Sequence, residues 1–214
     1  MMKKVLFLLC LFFFFSSPVI ANPVLLIHGI DDQRSKMAGL KRYLEARGFE
    51  CDSFDMVPSD GSVGLEELAK QVAVRVASLE KNNRKVDLVG FSLGGMVARY
   101  YLLKAGGAEH VERLVTISSP HHGTYTAFLR QNALSKELRP GSPILEELNK
   151  MPFPPGCRLS SIWTPLDLMI FPAWSSRLSG AKEKVIPVLL HPWMVSDGRC
   201  FEAVADALSS TSRP

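Results

Sequence analysis

The sequence has 214 residues and is poor in the groupings on which metal, cofactor and nucleic-acid chemistry depend. Its four cysteines stand at 10, 51, 157 and 200, so no two form a ligand pair and a zinc knuckle is excluded. No cluster of ligand-type side chains and no phosphate-cradling loop occurs, so neither a metal nor an organic cofactor is implied. There is no basic block and no basic stripe interleaved with aromatics. Twenty-five Lys and Arg against 21 Asp and Glu leave a formal charge of only +4. Such an excess predicts neither a nucleic-acid partner nor an acidic membrane. Internal repeats are absent as well. What is present is apolar: 47% of the residues are hydrophobic, enough for one compact domain with a substantial core and cramped for two.

One long apolar run exists, and it is N-terminal. Lys3 and Lys4 precede Val5 to Phe15; Ser16, Ser17 and Pro18 then break the run, and Val19-Ile20-Ala21 offers a small residue for cleavage. This is the layout of a secretory signal. The run is shorter than the roughly 20 residues a membrane span requires, which disfavours the alternative of an uncleaved anchor. The expectation is a signal peptide over 1–21 and a secreted or periplasmic domain over 22–214. Cys10 follows Leu9 rather than a small residue, so lipid attachment is not expected. Without Lys3 and Lys4, 23 basic residues face 21 acidic ones.

From Asn22 onward, strand and helix patterns alternate. Short Val/Leu/Ile-rich runs at 22–28, 51–56, 86–91, 111–118, 158–163 and 185–190 read as strands, the central ones buried on both faces. Helical spacing marks 36–47, 65–79, 96–104, 125–132, a segment opening at Ser142 with Pro143 in its first turn, and 197–208. Alternation of this kind predicts an α/β fold, a mostly parallel sheet with helices on both faces. In such a sheet Cys51 and Cys157 start well-separated strands and Cys200 lies on the last helix, so no disulfide is expected.

The strongest chemical signal is Gly90-Phe91-Ser92-Leu93-Gly94, placed between an apolar strand and a helix. A serine hydroxyl becomes a nucleophile only when a base removes its proton and the backbone presents it unobstructed. A tight strand-to-helix turn does the presenting, and glycines two residues to either side allow the close backbone approach it needs. The base and its carboxylate partner should follow the serine in the order acid, then histidine. That order selects. His28 precedes Ser92, His110 lies at the wrong end of the sheet, and His121 and His122 have no later-strand acid before them. His191 remains, just after the last predicted strand, and Asp167 precedes it by 24 positions. Glu183 is expected at the wrong end, and Asp197 comes after the histidine. Two backbone N–H groups should bind the oxyanion, those of Leu93 and of Ile30 in His28-Gly29-Ile30. His28 itself reads as a structural histidine of that turn.

The chain resembles the small secreted bacterial lipases of the α/β-hydrolase superfamily, the compact group without a large lid. The likeness rests on NPVLLIHGI (22–30), VDLVGFSLGG (86–95) and the stretch from SIWTPLDLMI through RLSGAKEKV to His191. It implies a Ser92–Asp167–His191 triad, an oxyanion hole of Ile30 and Leu93, an acyl-enzyme, and ester or lipid substrates met through at most transient contact with a lipid interface. The triad alone leaves open a thioesterase or acyltransferase, and a protein that only binds lipid or a partner. Two departures stand out. Phe91 replaces the histidine usual before the serine, and Ser119-Pro120-His121-His122-Gly123-Thr124 with the following residues to Cys157 forms an insertion. The insertion is expected to line or cover the pocket. Phe128, Leu129, Leu134, Ile144, Leu145 and Leu148 are its candidates for an acyl site, with ordinary helix packing favoured for any one of them.

Overall fold

The computed structural model describes residues 21–80 and 84–210; the expected signal sequence, 1–20 with its cleavage point at Ala21, lies outside them but for that last residue. Six parallel strands form one sheet among the described residues. They are β1 (Val24–Ile27), β2 (Cys51–Ser53), β3 (Val86–Phe91), β4 (Val111–Ile117), β5 (Arg158–Trp163) and β6 (Lys182–Val185). Their spatial order is β2-β1-β3-β4-β5-β6. The chain leaves β1 towards β2 and then returns to β3 on the other side of β1. A crevice opens where the winding reverses, at the carboxyl ends of β1 and β3.

Apolar side chains on both faces of the central strands require cover on both faces. Leu25, Ile27, Leu88 and Leu114 pack with α2 (Leu65–Leu79) and α3 (Leu93–Lys104). Leu26, Val89, Val115 and Ile117 pack on the other side with α1 (Ala38–Glu45) and α6 (Gly198–Ser209). Burial of each such aliphatic side chain is worth about 1.5–3 kcal/mol. Helix α2 buries Leu65, Leu68, Val72 and Val76, the stripe its spacing predicts. Helix α3 has no polar face to expose, because the insertion covers its outer side.

The insertion differs from the expected helix over 125–132. A 3-10 turn spans Tyr125–Leu129, capped by Thr124, and α4 (Ala133–Glu137) starts afresh because the Asn132 side chain accepts from the Ser135 N–H at 2.9 Å. Helix α5 (Pro143–Lys150) opens as expected, with Ser142 as N-cap and Pro143 in its first turn. Arg99 of α3 ties the insertion down, donating to the Leu148 carbonyl (2.8 Å) and the Asn149 side chain (3.0 Å). Among the described residues no carboxylate pairs with this buried guanidinium, and burial pulls its pKa down to about 10.

The last strand is a second correction. Of the apolar run 185–190 only Val185 belongs to it; β6 is the charged Lys182–Val185, exposed along the sheet edge. Charge on an edge strand deters pairing with other chains, which is why its pattern does not read as a core strand. Pro187 has no N–H for a ladder, so beyond Ile186 the Thr164 hydroxyl takes over, accepting from Val188 N–H at 3.1 Å and donating to its carbonyl at 2.7 Å. Glu183 therefore lies within β6, paired with Arg177. At the amino ends of the strands, Asn22 donates to Asp87 and Glu112. Arg113 joins Asp87 (2.9 Å) to the Ser210 carbonyl (3.5 Å).

Candidate active site

Ser92 is the hinge between β3 and α3, with φ +52° and ψ −118°. A non-glycine residue held there stores about 1–3 kcal/mol of backbone strain, which the packing around it must sustain. Three glycines make that packing possible. A Cβ on Gly90 would lie 2.4 Å from the Gly95 backbone, one on Gly94 2.2 Å from the Ile27 carbonyl oxygen, and one on Gly95 2.0 Å from the Ser119 hydroxyl. The helix start, the end of β1 and the loop after β4 thus converge on the serine. The leading N–H groups of α3, Leu93 first, have no carbonyl a turn earlier to bond.

The loop after β1 approaches from the other side: a Cβ on Gly29 would stand 3.3 Å from the Ser92 Cβ. His28 is fully buried and fixes this loop. Its Nε2 accepts from the Met56 N–H (2.9 Å), which leaves Nδ1 to donate to the Gly29 carbonyl (2.8 Å). It is a structural histidine, as expected.

Asp167 and His191, 24 residues apart, meet at 2.7 Å through Oδ2 and Nδ1, both buried. The other carboxylate oxygen accepts from the Met169 (2.9 Å) and Ile170 (2.8 Å) N–H groups, so every demand of the carboxylate is met. His191 does not directly follow the last strand; it opens a 3-10 turn, His191–Val195, six residues after Val185. Its Nε2 is buried without a partner among the described residues. Phe91, the departure noted in the sequence, packs its ring against the imidazole, centroids 4.9 Å apart. An apolar residue there supports the histidine from behind and offers it no competing hydrogen bond.

Ser92, Leu93, Ile30 and His191 share the wall of one cavity of about 550 Å³. Asp167 stands behind His191. The remaining wall is mostly apolar: Ala127, Leu129, Leu138, Leu168, Met169 and Ile170. Asp31, Asp32, Lys36 and Arg130 give one side charge, and Arg130 pairs with Asp31 at 2.5 Å across the opening. Burial raises the pKa of Asp32, against the opposing charge of Lys36.

The insertion lines the cavity, as expected, through Pro120, Thr124 and the turn that follows. Of the six apolar candidates only Leu129 reaches it. Leu134, Leu145 and Leu148 are fully packed in the core, Ile144 packs against that core, and Phe128 is exposed. Spacing could not separate these fates, because the 3-10 turn rotates Leu129 away from the faces of α4 and α5. Ala127, Leu138, Leu168, Met169 and Ile170 are wall residues not anticipated, and the last three directly follow Asp167. An apolar triplet directly after Asp167 was the signal available. Cys51, Cys157 and Cys200 are free thiols.

A family model described as palmitoyl protein thioesterase matches residues 23–150, a span that holds Ser92 and ends before Asp167. Among solved structures, a lipase of Bacillus licheniformis in its mature form superposes with a TM-score of 0.77 at 16% identity, covering 90% of this chain and 94% of that one. Aspergillus fumigatus lipase B gives a TM-score of 0.73 at 15% identity over 90% of this chain and 53% of its own. A pyrethroid hydrolase of Sphingobium faniae gives 0.60 at 19%, covering 88% and 98%. Identities this low establish the fold alone. The sheet order, the strained serine between strand and helix, and the match over most of the chain lead to one assignment: this chain belongs to the palmitoyl protein thioesterase family and has the α/β-hydrolase fold of lipases.

Proposed function

We propose that this protein is a serine hydrolase that cleaves lipid-type carboxylic esters through an acyl-enzyme. One observation carries the reading: His191 lines the same cavity as Ser92, its Nδ1 is held by Asp167 at 2.7 Å, and its Nε2 has no partner among the described residues. In that arrangement Nε2 is the free lone pair and takes the Ser92 proton as Oγ attacks the acyl carbonyl. Asp167 fixes the tautomer and stabilises the imidazolium. The Leu93 and Ile30 N–H groups receive the oxyanion, His191 returns the proton to the leaving oxygen, and water repeats the sequence to release the acid. The apolar wall of Leu129, Leu168, Met169 and Ile170 suits an acyl chain.

Hydrolysis of p-nitrophenyl esters from short to long acyl chains tests this. Turnover is expected to rise with chain length, to vanish in Ser92→Ala and to fall by about 10⁴-fold in Asp167→Asn. Folded protein that neither turns over any ester nor reacts with a fluorophosphonate at Ser92 would place it among lipid- or partner-binding proteins instead. A second reading is favoured by the family match: the acyl group arrives as a thioester, and the leaving atom is sulfur. Ester and thioester of the same long acyl chain, compared by kcat/KM, separate the two. Export with cleavage after Ala21 is part of the proposal, and N-terminal sequencing of the exported protein tests it.

A further inference from the structure

The loop that supplies Asp167 does two things at once. Asp167 is buried, 3% exposed, whereas its neighbour Leu168 is 77% exposed at the cavity mouth. A turn this sharp needs fixing, and Asp167 fixes half of it by accepting from Met169 and Ile170 N–H groups. The other half is fixed from the insertion. The Met169 carbonyl accepts from the Thr124 hydroxyl (2.9 Å) and from the Thr126 hydroxyl (2.7 Å). Thr124 Oγ1 in turn accepts the Phe171 N–H at 2.9 Å, and the Tyr125 N–H reaches the Phe171 carbonyl at 2.8 Å. Thr124 is nearly buried, and the methyl-bearing side chains of both threonines line the cavity. A continuous run thus leads from the cavity wall to the imidazole: Thr124 and Thr126 to the Met169 carbonyl, the Ile170 N–H of that same peptide group to Asp167, Asp167 to His191.

We propose that Thr124 and Thr126 are positioning residues that couple acyl-chain recognition to the alignment of the acid–histidine pair. This rests on the acyl-hydrolase reading above. By holding the Met169 carbonyl, they set the turn that aims Asp167 at His191 and that presents Leu168, Met169 and Ile170 to the acyl chain. A long acyl chain packs on that wall and steadies the turn itself; a short chain does not reach it and depends on the threonines alone. Loss of the hydroxyls therefore acts on kcat, and more on short chains than on long ones.

The test uses Thr124→Val, Thr126→Val and the double variant, with the two Thr→Ser variants as rescue. Two readouts are taken on folded protein: kcat and KM on butyrate and on laurate esters, and the downfield proton resonance of the His191–Asp167 hydrogen bond. In the double Val variant, kcat on butyrate is expected to fall by about tenfold or more, the scale of a sub-ångström misplacement, with a smaller loss on laurate. The resonance should broaden or shift, and both Ser variants should restore it. Unchanged kcat on both esters with an unchanged resonance overturns the proposal. Equal losses in the Ser variants also overturn it, because they assign the effect to methyl packing. If Thr124→Val does not fold, Thr126→Val, at a half-buried hydroxyl, carries the comparison. Absence of Ser92-dependent turnover in the wild type defeats the hydrolase reading, and the resonance still decides whether the threonines hold the pair.

Discussion

Substitution of Gly94 by alanine puts the close approach of α3 to β1 under direct strain. The added carbon would stand 2.2 Å from the Ile27 oxygen and 2.6 Å from the His28 oxygen, where ordinary contact begins at 3.4 Å. Both neighbours are backbone, so no side chain can swing aside. The end of β1 and the start of α3 must part by about 1.2 Å, the difference between 3.4 and 2.2 Å. Those two segments carry the Ile30 and Leu93 N–H groups. Separation on that scale loosens the oxyanion site proposed for them, and misplacement of about 1 Å is worth roughly 10²-fold in rate. Overpacking adds about 1–3 kcal/mol of destabilisation. Gly94→Ala is therefore expected to lower kcat on a p-nitrophenyl ester about 100-fold in protein that still melts cooperatively, at a lower Tm. Gly198→Ala is the control, since nothing lies within 4 Å of its added carbon. A Gly94→Ala protein with kcat within about threefold of wild type would refute the claim that this contact sets the geometry of the oxyanion donors.

Other expectations concern stability. Burial, with the neighbouring Arg99 charge, holds the pKa of His121 well below 6.5. Below pH 6.5 the unfolded chain therefore takes up a proton that the folded one refuses. Stability should fall with decreasing pH there, by up to about 1.4 kcal/mol per pH unit from this group, and be flat above it. Chemical denaturation of wild type and His121→Gln between pH 5 and 8 checks this; parallel curves would remove His121 as the cause. The Arg130–Asp31 pair is about half exposed on both sides. Arg130→Ala should lower Tm by no more than about 3 °C, and high salt should erase the difference. Burial pushes the thiols of Cys51 and Cys157 up to about 12 and 11, so both should react sluggishly with a disulfide reagent at pH 8 until the protein unfolds, and reductant should leave Tm unchanged.

Much of this architecture can be read from local pattern because local physics decides it. The central strands are apolar on both faces, α2 repeats its apolar stripe over 15 residues, and Ser92 stands in a glycine spacing that only a cramped turn requires. Chain order was enough to single out Asp167 and His191, the pair that meets at 2.7 Å. Failures fall where tertiary context outweighs pattern. The 185–190 run is apolar because Ile186 and Val188 plug the core, not because it is a strand; the strand is the charged edge before it. Of the acyl-site candidates, Leu134, Leu145 and Leu148 are packed in the core, the reading favoured for any one of them, and only Leu129 lines the cavity. Thr124 and Thr126 gave no periodic signal, since their partners are carbonyls more than 40 residues away.

The network at the amino ends of the strands has a practical reach. Asn22 and Ser210 belong to one set of hydrogen bonds through Asp87 and Arg113, at the end of the sheet opposite the cavity. A support or fusion partner attached at either residue leaves the opening turned towards solution, and tethering through both at once does not block it. The same network makes the chain a scaffold for circular permutation: a linker from 210 to 22 bridges residues already joined through Asp87 and Arg113, and new ends can be opened at the exposed Pro155-Gly156 turn without crossing the cavity wall.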